Sequence, residues 1–221
     1  MDYSFLSKTV LFNGITAKET ELLLKCTDAF EKNYEKDEII LHAGSPCECM
    51  GIVVSGSVNI IVNYYWGGSS IFGHVTAGQI FAEAYSLISE KELLCDVCAA
   101  EKTTVLFMNT KKVLALCNKA CPNHILLMQN LLKISARKNL GLSSRMAHTA
   151  SKRIRDRLLS YLSEQALLSG SNRFTIPFSR QQLADYLGTE RSALSGELSK
   201  MRRDGLIDYR KNSFILLSNE T

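Results

Sequence analysis

The spacing of apolar side chains changes character twice along this chain. Near its start, Thr16 stands where a helix cap belongs and Glu19 follows three residues on. Leu22, Leu23 and Leu24 come next, which predicts a helix over residues 16–29. From residue 33 to 108 the apolar residues fall in short runs: Ile39-Ile40-Leu41, Gly51-Ile52-Val53-Val54, Val58-Asn59-Ile60-Ile61-Val62 and Val105-Leu106-Phe107-Met108. Turn formers lie between them, in Ala43-Gly44-Ser45-Pro46, Ser55-Gly56-Ser57, Trp66-Gly67-Gly68-Ser69 and Thr76-Ala77-Gly78. Short strands separated by turns predict an antiparallel sandwich or barrel.

After Met108 the glycines thin out and the helical period takes over. Residues 111–116 read as a short helix, and Pro122 sits where a first helical turn tolerates a residue without an N–H. Counting from Ile125 as position a, successive a and d positions fall on Ile125, Met128, Leu132, Ser135, Asn139, Leu142, Met146 and Thr149. Five of these eight are apolar, so a seam runs along one long helix. Such a seam can pack on the chain's own β domain, on a second copy, or on both. Ser135 and Asn139 within it favour the dimer, since a buried Asn at an a position fixes register at a cost in stability. A further helix is predicted over residues 151–168, with Ile154, Leu158, Leu159 and Leu162 on one face and Lys152, Arg153, Arg155 and Arg157 on or beside the other. The expected organisation is a β domain over residues 1–118, a dimerisation helix and hinge over 119–148, and a C-terminal domain over 149–221.

The most specific segment is residues 178–201. Ser179 caps a helix whose apolar face is Leu183, Ala184 and Leu187, and Gly188 supplies the left-handed residue that ends it. A second helix starts at once, with Ala193 or Leu194, Leu198 and Met201 turned inward. Two short helices about a glycine turn, the second offering small polar and cationic groups near its N-terminus, form a helix-turn-helix. Residues 205–216 then read as two strands joined at Lys211-Asn212-Ser213, a wing. The candidate DNA contacts are Ser179, Arg180, Gln181, Thr189, Arg191, Ser192, Ser195, Lys200 and Lys211, because arginine forks onto guanine while hydroxyls and lysines reach phosphates or bases.

Charge sharpens this picture. Residues 137–221 carry 15 Lys/Arg against 8 Asp/Glu, a net +7, whereas the preceding part carries 11 against 14, a net −3. A basic C-terminal third fits a nucleic-acid partner. No apolar run approaches the ~20 residues of a membrane span, and Met1-Asp2-Tyr3-Ser4-Phe5 begins no secretory signal, so the expected location is the cytoplasm. Seven cysteines, an odd number in a chain of this size, read as reduced thiols.

Along nearly its whole length the chain resembles the cyclic-AMP receptor protein and fumarate-nitrate reductase regulator family, Crp/Fnr. The matching residues are Gly51-Ile52-Val53-Val54-Ser55-Gly56-Ser57-Val58, Gly78-Gln79-Ile80-Phe81-Ala82-Glu83, and residues 179–205. The resemblance implies an α+β fold: an N-terminal antiparallel β-roll, a long dimerisation helix and a C-terminal winged helix-turn-helix. It implies a non-enzymatic homodimeric transcription regulator on a pseudo-palindromic promoter site, with RNA polymerase as a further partner and a small-molecule effector in the β-roll.

Two departures qualify it. The family's nucleotide cassette runs from Gly-Glu to an Arg-Ser or Arg-Thr whose arginine holds the cyclic phosphate. Here Ala82 precedes Glu83, and Leu93-Leu94 occupy the arginine position and its neighbour. A buried phosphate without its cation costs several kcal/mol, so cyclic AMP is not expected as effector and no cofactor is. The expected effector pocket comprises Glu83, Ala84, Leu93, Leu94 and Asn139. The oxygen-sensing branch carries a cysteine cluster before the β-roll, where this chain has Cys26 alone, so no iron–sulfur cluster of that type is expected. Gly196 also stands where many relatives have a base-contacting arginine, so the preferred operator should differ.

Other signals have ordinary explanations. Cys95 with Cys98 and Cys117 with Cys121 have redox- or metal-like spacing, and Cys47 with Cys49 could share a face. Residues three apart on a strand point to opposite faces, however, and buried thiols account for the rest. His42, His74, His124 and His148 show no metal spacing, and Gly67-Gly68-Ser69-Ser70 lacks the ending of a phosphate loop. The alternatives to a small-molecule-controlled regulator are a redox- or metal-responsive thiol regulator, a thiol oxidoreductase or cupin-like enzyme, and a ligand-binding protein with a degenerate DNA-binding head.

Overall fold

The computed structural model describes residues 1–88, 91–115 and 121–217. In chain order the elements are α1 (Tyr3–Leu6), α2 (Ala17–Cys26), β1 (Phe30–Tyr34), β2 (Ile39–Leu41), β3 (Cys49–Ser55), β4 (Ser57–Asn63), β5 (Ser69–Thr76), β6 (Ile80–Phe81), α3 (Glu83–Leu87), β7 (Asp96–Ala99), β8 (Thr103–Asn109) and α4 (Thr110–Leu114). There follow α5 (Pro122–Thr149), α6 (Ile154–Ser169), β9 (Arg173–Thr175), α7 (Arg180–Leu187), α8 (Arg191–Arg203), β10 (Ile207–Arg210) and β11 (Ser213–Leu216). The chain divides into two compact units, Met1–Ala136 and Arg137–Thr221, the division falling inside α5.

The N-terminal unit is the expected β-roll. Its two antiparallel sheets have strand orders β1-β8-β3-β6 and β2-β7-β4-β5. Val53, Val58, Val75, Phe81, Val97, Ala99, Val105 and Phe107 fill the space between them. Alternation along a strand explains the unbroken apolar run of β8: Val105 and Phe107 face this interior, while Leu106 and Met108 face a second layer built from α1, α2 and α5. β3 does the same, with Met50 and Ile52 in that helical layer. Gly51 is required by its neighbour, since a Cβ there would overlap the Phe81 ring.

Several local predictions match the structure closely. Thr16 and Glu19 form a reciprocal capping box at the start of α2. That helix ends at Cys26 rather than at residue 29, because Asp28 adopts φ +49 and the Ala29 amide turns back to Leu24 O. The short helix ends at Leu114, and Leu116 lies outside the described residues.

α5 is buried along one face near its start. His124, Leu127, Asn130 and Leu131 are buried, and Asn130 donates to the carbonyls of Leu11 (3.0 Å) and Asn13 (2.8 Å), fixing the N-terminal loop. One face of the helix therefore belongs to its own unit. The seam faces elsewhere: Ile125, Leu132, Leu142 and Met146 are exposed, as is Asn139, with Met128 and Ser135 half-buried.

The C-terminal unit packs α6, α7 and α8 against a three-stranded sheet of order β10-β11-β9. Leu158, Tyr161, Leu162, Phe174, Leu183, Leu187, Leu194, Leu198, Met201, Ile207 and Phe214 form its core. α6 begins at Ile154, three residues later than expected, because Ser151 Oγ accepts from the Arg153 amide and donates to Asp156 in the first turn of the helix, which keeps Ser151 itself outside it. β9 was not foreseen. Its alternation of exposed Arg173 and Thr175 around buried Phe174 is only three residues long, too short to register as a strand pattern.

Candidate nucleic-acid interface

The interface rests on the α7–turn–α8 unit. Ser179 Oγ accepts from the Gln182 amide and the Gln182 side chain accepts from the Ser179 amide (2.8 Å), so both helix-end donors are satisfied. Gly188 ends α7 at φ +63, a conformation glycine adopts without strain. Of the two residues left open for the inward face of α8, it is Leu194 that is buried and Ala193 that is exposed.

Two arginines brace the turn from behind. Arg157 on α6 donates Nη1 to the carbonyls of Leu187 (2.9 Å) and Gly188 (3.1 Å) and Nε to Ser151 O (2.6 Å). Arg145 on α5 donates Nε to Tyr186 O (3.2 Å) and Nη2 to Asp185 O (3.4 Å), with its guanidinium over the Tyr186 ring. Carbonyls left over at a helix C-terminus favour cations there. A third arginine, Arg155, pairs with Glu197 (2.6 Å) and Asp204 (2.7 Å), tying α6 to α8; these bonds raise its pKa.

This scaffold presents the first turn of α8 outward. Arg191 and Ser192 are exposed there, followed by Gly196, Ser199, Lys200 and Arg203. Ser195 is half-buried and donates to Arg191 O (2.8 Å), and Lys200 lies 3.8 Å from Glu197. Lys211 is exposed at the hairpin tip with φ +53. Ser179 is exposed but serves as the α7 cap; Gln181 is exposed and bonds Asp185 (2.8 Å); Thr189 is half-buried at the turn.

Arg180 has a different position from the one its charge implies. Its guanidinium lies over the rings of Tyr209 (5.1 Å) and Phe214 (5.7 Å) and donates to Lys211 O (3.2 Å). Burial lowers its pKa, against the opposing effect of Tyr209. It joins α7 to the wing. Arg202 is likewise engaged, with Asp208 at 2.8 Å. Arg145 and Arg203 carry no sequence signal, and Arg157 has only its place on the polar side of the α6 helix, since nothing local distinguishes a bracing arginine from a contacting one.

The expected effector residues differ in burial. Glu83 and Leu93 are buried in the N-terminal unit, whereas Ala84 and Leu94 are exposed, Leu94 by 78%. Leu93 pairs its backbone with Gly44 (2.7 Å) and Ser45 (3.0 Å), and the chain bends at Leu94. Of the leucine pair Leu93 is the buried one, and Asn139 belongs to the other unit. Ala82 adopts φ +58, the backbone state that suits the glycine of the family pattern.

Four of the described thiols have surroundings that disfavour the thiolate. Burial pushes Cys95, Cys98, Cys47 and Cys49 up, and nearby carboxylates add to the shift at Cys95, Cys98 and Cys49. Cys47 donates to Cys49 O (3.2 Å). The six described cysteines are free, and Cys117 lies outside the described residues. Among the described residues no group of three His, Cys, Asp or Glu is placed to hold a metal, and no helix is long and apolar enough to cross a membrane.

Comparison with known proteins agrees with this geometry. Residues 31–120 match the cyclic nucleotide-binding domain and residues 153–220 the Crp-like helix-turn-helix domain. A protein of Lacticaseibacillus casei described as "Probable transcriptional regulator flp" is 31% identical over 90 residues; the match spans 41% of this chain and 41% of that relative. The catabolite activator protein of Thermus thermophilus has a similar fold, with 22% identity, coverage of 94% of this chain and 93% of that one, and a TM-score of 0.51. CprK complexed with OCPA reaches a TM-score of 0.63 at 16% identity, over 90% of this chain and 92% of the other.

Proposed function

The chain belongs to the Crp/Fnr family of transcription regulators, and from that premise we propose that it is a homodimer that binds a pseudo-palindromic promoter site through α8. The observation that carries this reading is the exposure of Arg191 and Ser192 on a first turn held rigid by the capped α7 and by Arg157. An exposed guanidinium at the start of a helix can donate two bonds to a guanine edge. The exposed apolar positions Ile125, Leu132, Leu142 and Met146 on one side of α5 support a second copy as its partner, since they are costly to leave in water. RNA polymerase is the natural further partner, the cytoplasm the natural place, and no catalytic role is assigned.

The effector we assign to the β-roll is not cyclic AMP. Buried Leu93 occupies the position where the family's arginine pairs with phosphate, and an aliphatic side chain offers a phosphate neither charge nor donor. An apolar or aromatic small molecule suits the surroundings of an aliphatic side chain better than a phosphate does. The raised thiol pKa values weigh against the thiol-based alternatives.

Mobility-shift titrations on the upstream region of the chain's own operon test the proposal. A regulator forms a specific complex whose affinity falls steeply with salt, because cations on the protein release counterions from DNA. No specific complex on any promoter would favour a ligand-binding protein with an inactive head. Millimolar cyclic AMP should leave both the complex and the melting temperature unchanged.

A further inference from the structure

α5 ends inside the DNA-binding unit, and one side of its last two turns is joined to the helix-turn-helix. His148 is 3% exposed, with Nδ1 2.9 Å from the Tyr186 hydroxyl on α7 and Nε2 2.9 Å from Glu164 Oε2 on α6. Ser144 Oγ donates to the other oxygen of Glu164 (2.9 Å), and Arg145 donates to the carbonyls of Asp185 and Tyr186. Around His148 stand the rings of Tyr161 and Tyr186, and the Phe178 ring packs on both tyrosines. Residues two apart on a helix lie about 200° apart around its axis. Ser144 and His148 are thus on the side opposite Leu142 and Met146, which are exposed by 59% and 73%.

We propose that Ser144, Arg145 and His148 make the last two turns of α5 an integral part of the reading head, with Arg145 and His148 as positioning residues for DNA recognition. The inference rests on the regulator reading. Its content is mechanical: the seam and the clamp share two helical turns, so any shift of the seam carries α7, and with it the α8 first turn, along. Neither residue needs to touch DNA.

Hydrogen exchange on the full chain and binding titrations test this together. In the native chain the amides of residues 145–149 should open with those of α7. Arg145→Ala and His148→Ala should each accelerate exchange in α7 and weaken specific binding by about tenfold, with non-specific binding changed less than about twofold. Arg145→Lys keeps the charge but not the planar fork and should not restore affinity. Tyr186→Phe removes only the hydroxyl, and should add nothing in the His148→Ala background.

Unchanged α7 protection in both alanine variants would overturn the proposal, as would rescue by Arg145→Lys or an equal loss of specific and non-specific binding. If the native chain bound no specific site, the regulator reading would fail while the exchange experiment still decided the clamp.

Discussion

Arg157 Nη1 lies 2.9 Å from the Leu187 carbonyl, so the helix end that precedes the reading helix is held by a cation from α6. The same nitrogen reaches Gly188 O, which fixes the turn residue by residue. The turn from which α8 leaves is thus braced by the fold itself, with Arg191 exposed at the start of the helix.

Replacing Arg191 with alanine should therefore weaken specific binding by ~1–3 kcal/mol while the thermal midpoint stays unchanged. Fluorescence anisotropy with operator and scrambled duplexes reads the difference. Unaltered operator affinity would mean that another element reads the bases.

Placing arginine at Leu142 puts a charge at the centre of the proposed seam, opposite its symmetry mate. Leu142→Arg should give monomers in sedimentation and lose cooperative binding to both half-sites. A dimer that persists would remove this stretch of α5 from the interface.

Ala82 sits at φ +58, where a Cβ is strained and glycine is not. Ala82→Gly should stabilise the chain by roughly 0.5–1 kcal/mol, seen as a higher urea midpoint at constant slope. A lower midpoint would show that the methyl group's packing against the roll interior outweighs the backbone strain.

Burial pushes the Tyr161 pKa up to about 12 from 10, with Tyr186 and Glu164 adding to the shift. Folding thus favours the neutral phenol, so its contribution is complete below pH 10 and is lost as pH rises from 10 towards 12. Tyr161→Phe cannot ionise and should show a shallower alkaline loss of stability in unfolding titrations. Identical alkaline profiles would mean that the ring is reached by solvent before it titrates.

Much of the fold was legible because its signals are local. The Thr16–Glu19 pair, the Ser179 cap and the left-handed Gly188 depend on residues at most four apart, and the structure contains each of them. The helical period also gave the long helix α5 from Pro122 onward. β9 and the true start of α6 were not legible, since a three-residue strand carries too little period and the Ser151 bonds compete with helix formation.

The sequence by itself determined most of the order of elements and the helix-turn-helix, which follow from residue type and short spacing. Only the tertiary structure decided which arginines face outward and which brace the turn, that Leu93 turns in while Leu94 turns out, and that His148 joins three helices. The reason is physical. A guanidinium or imidazole has the same intrinsic chemistry wherever it stands, and its role is set by carbonyls, carboxylates and rings brought beside it from tens of residues away.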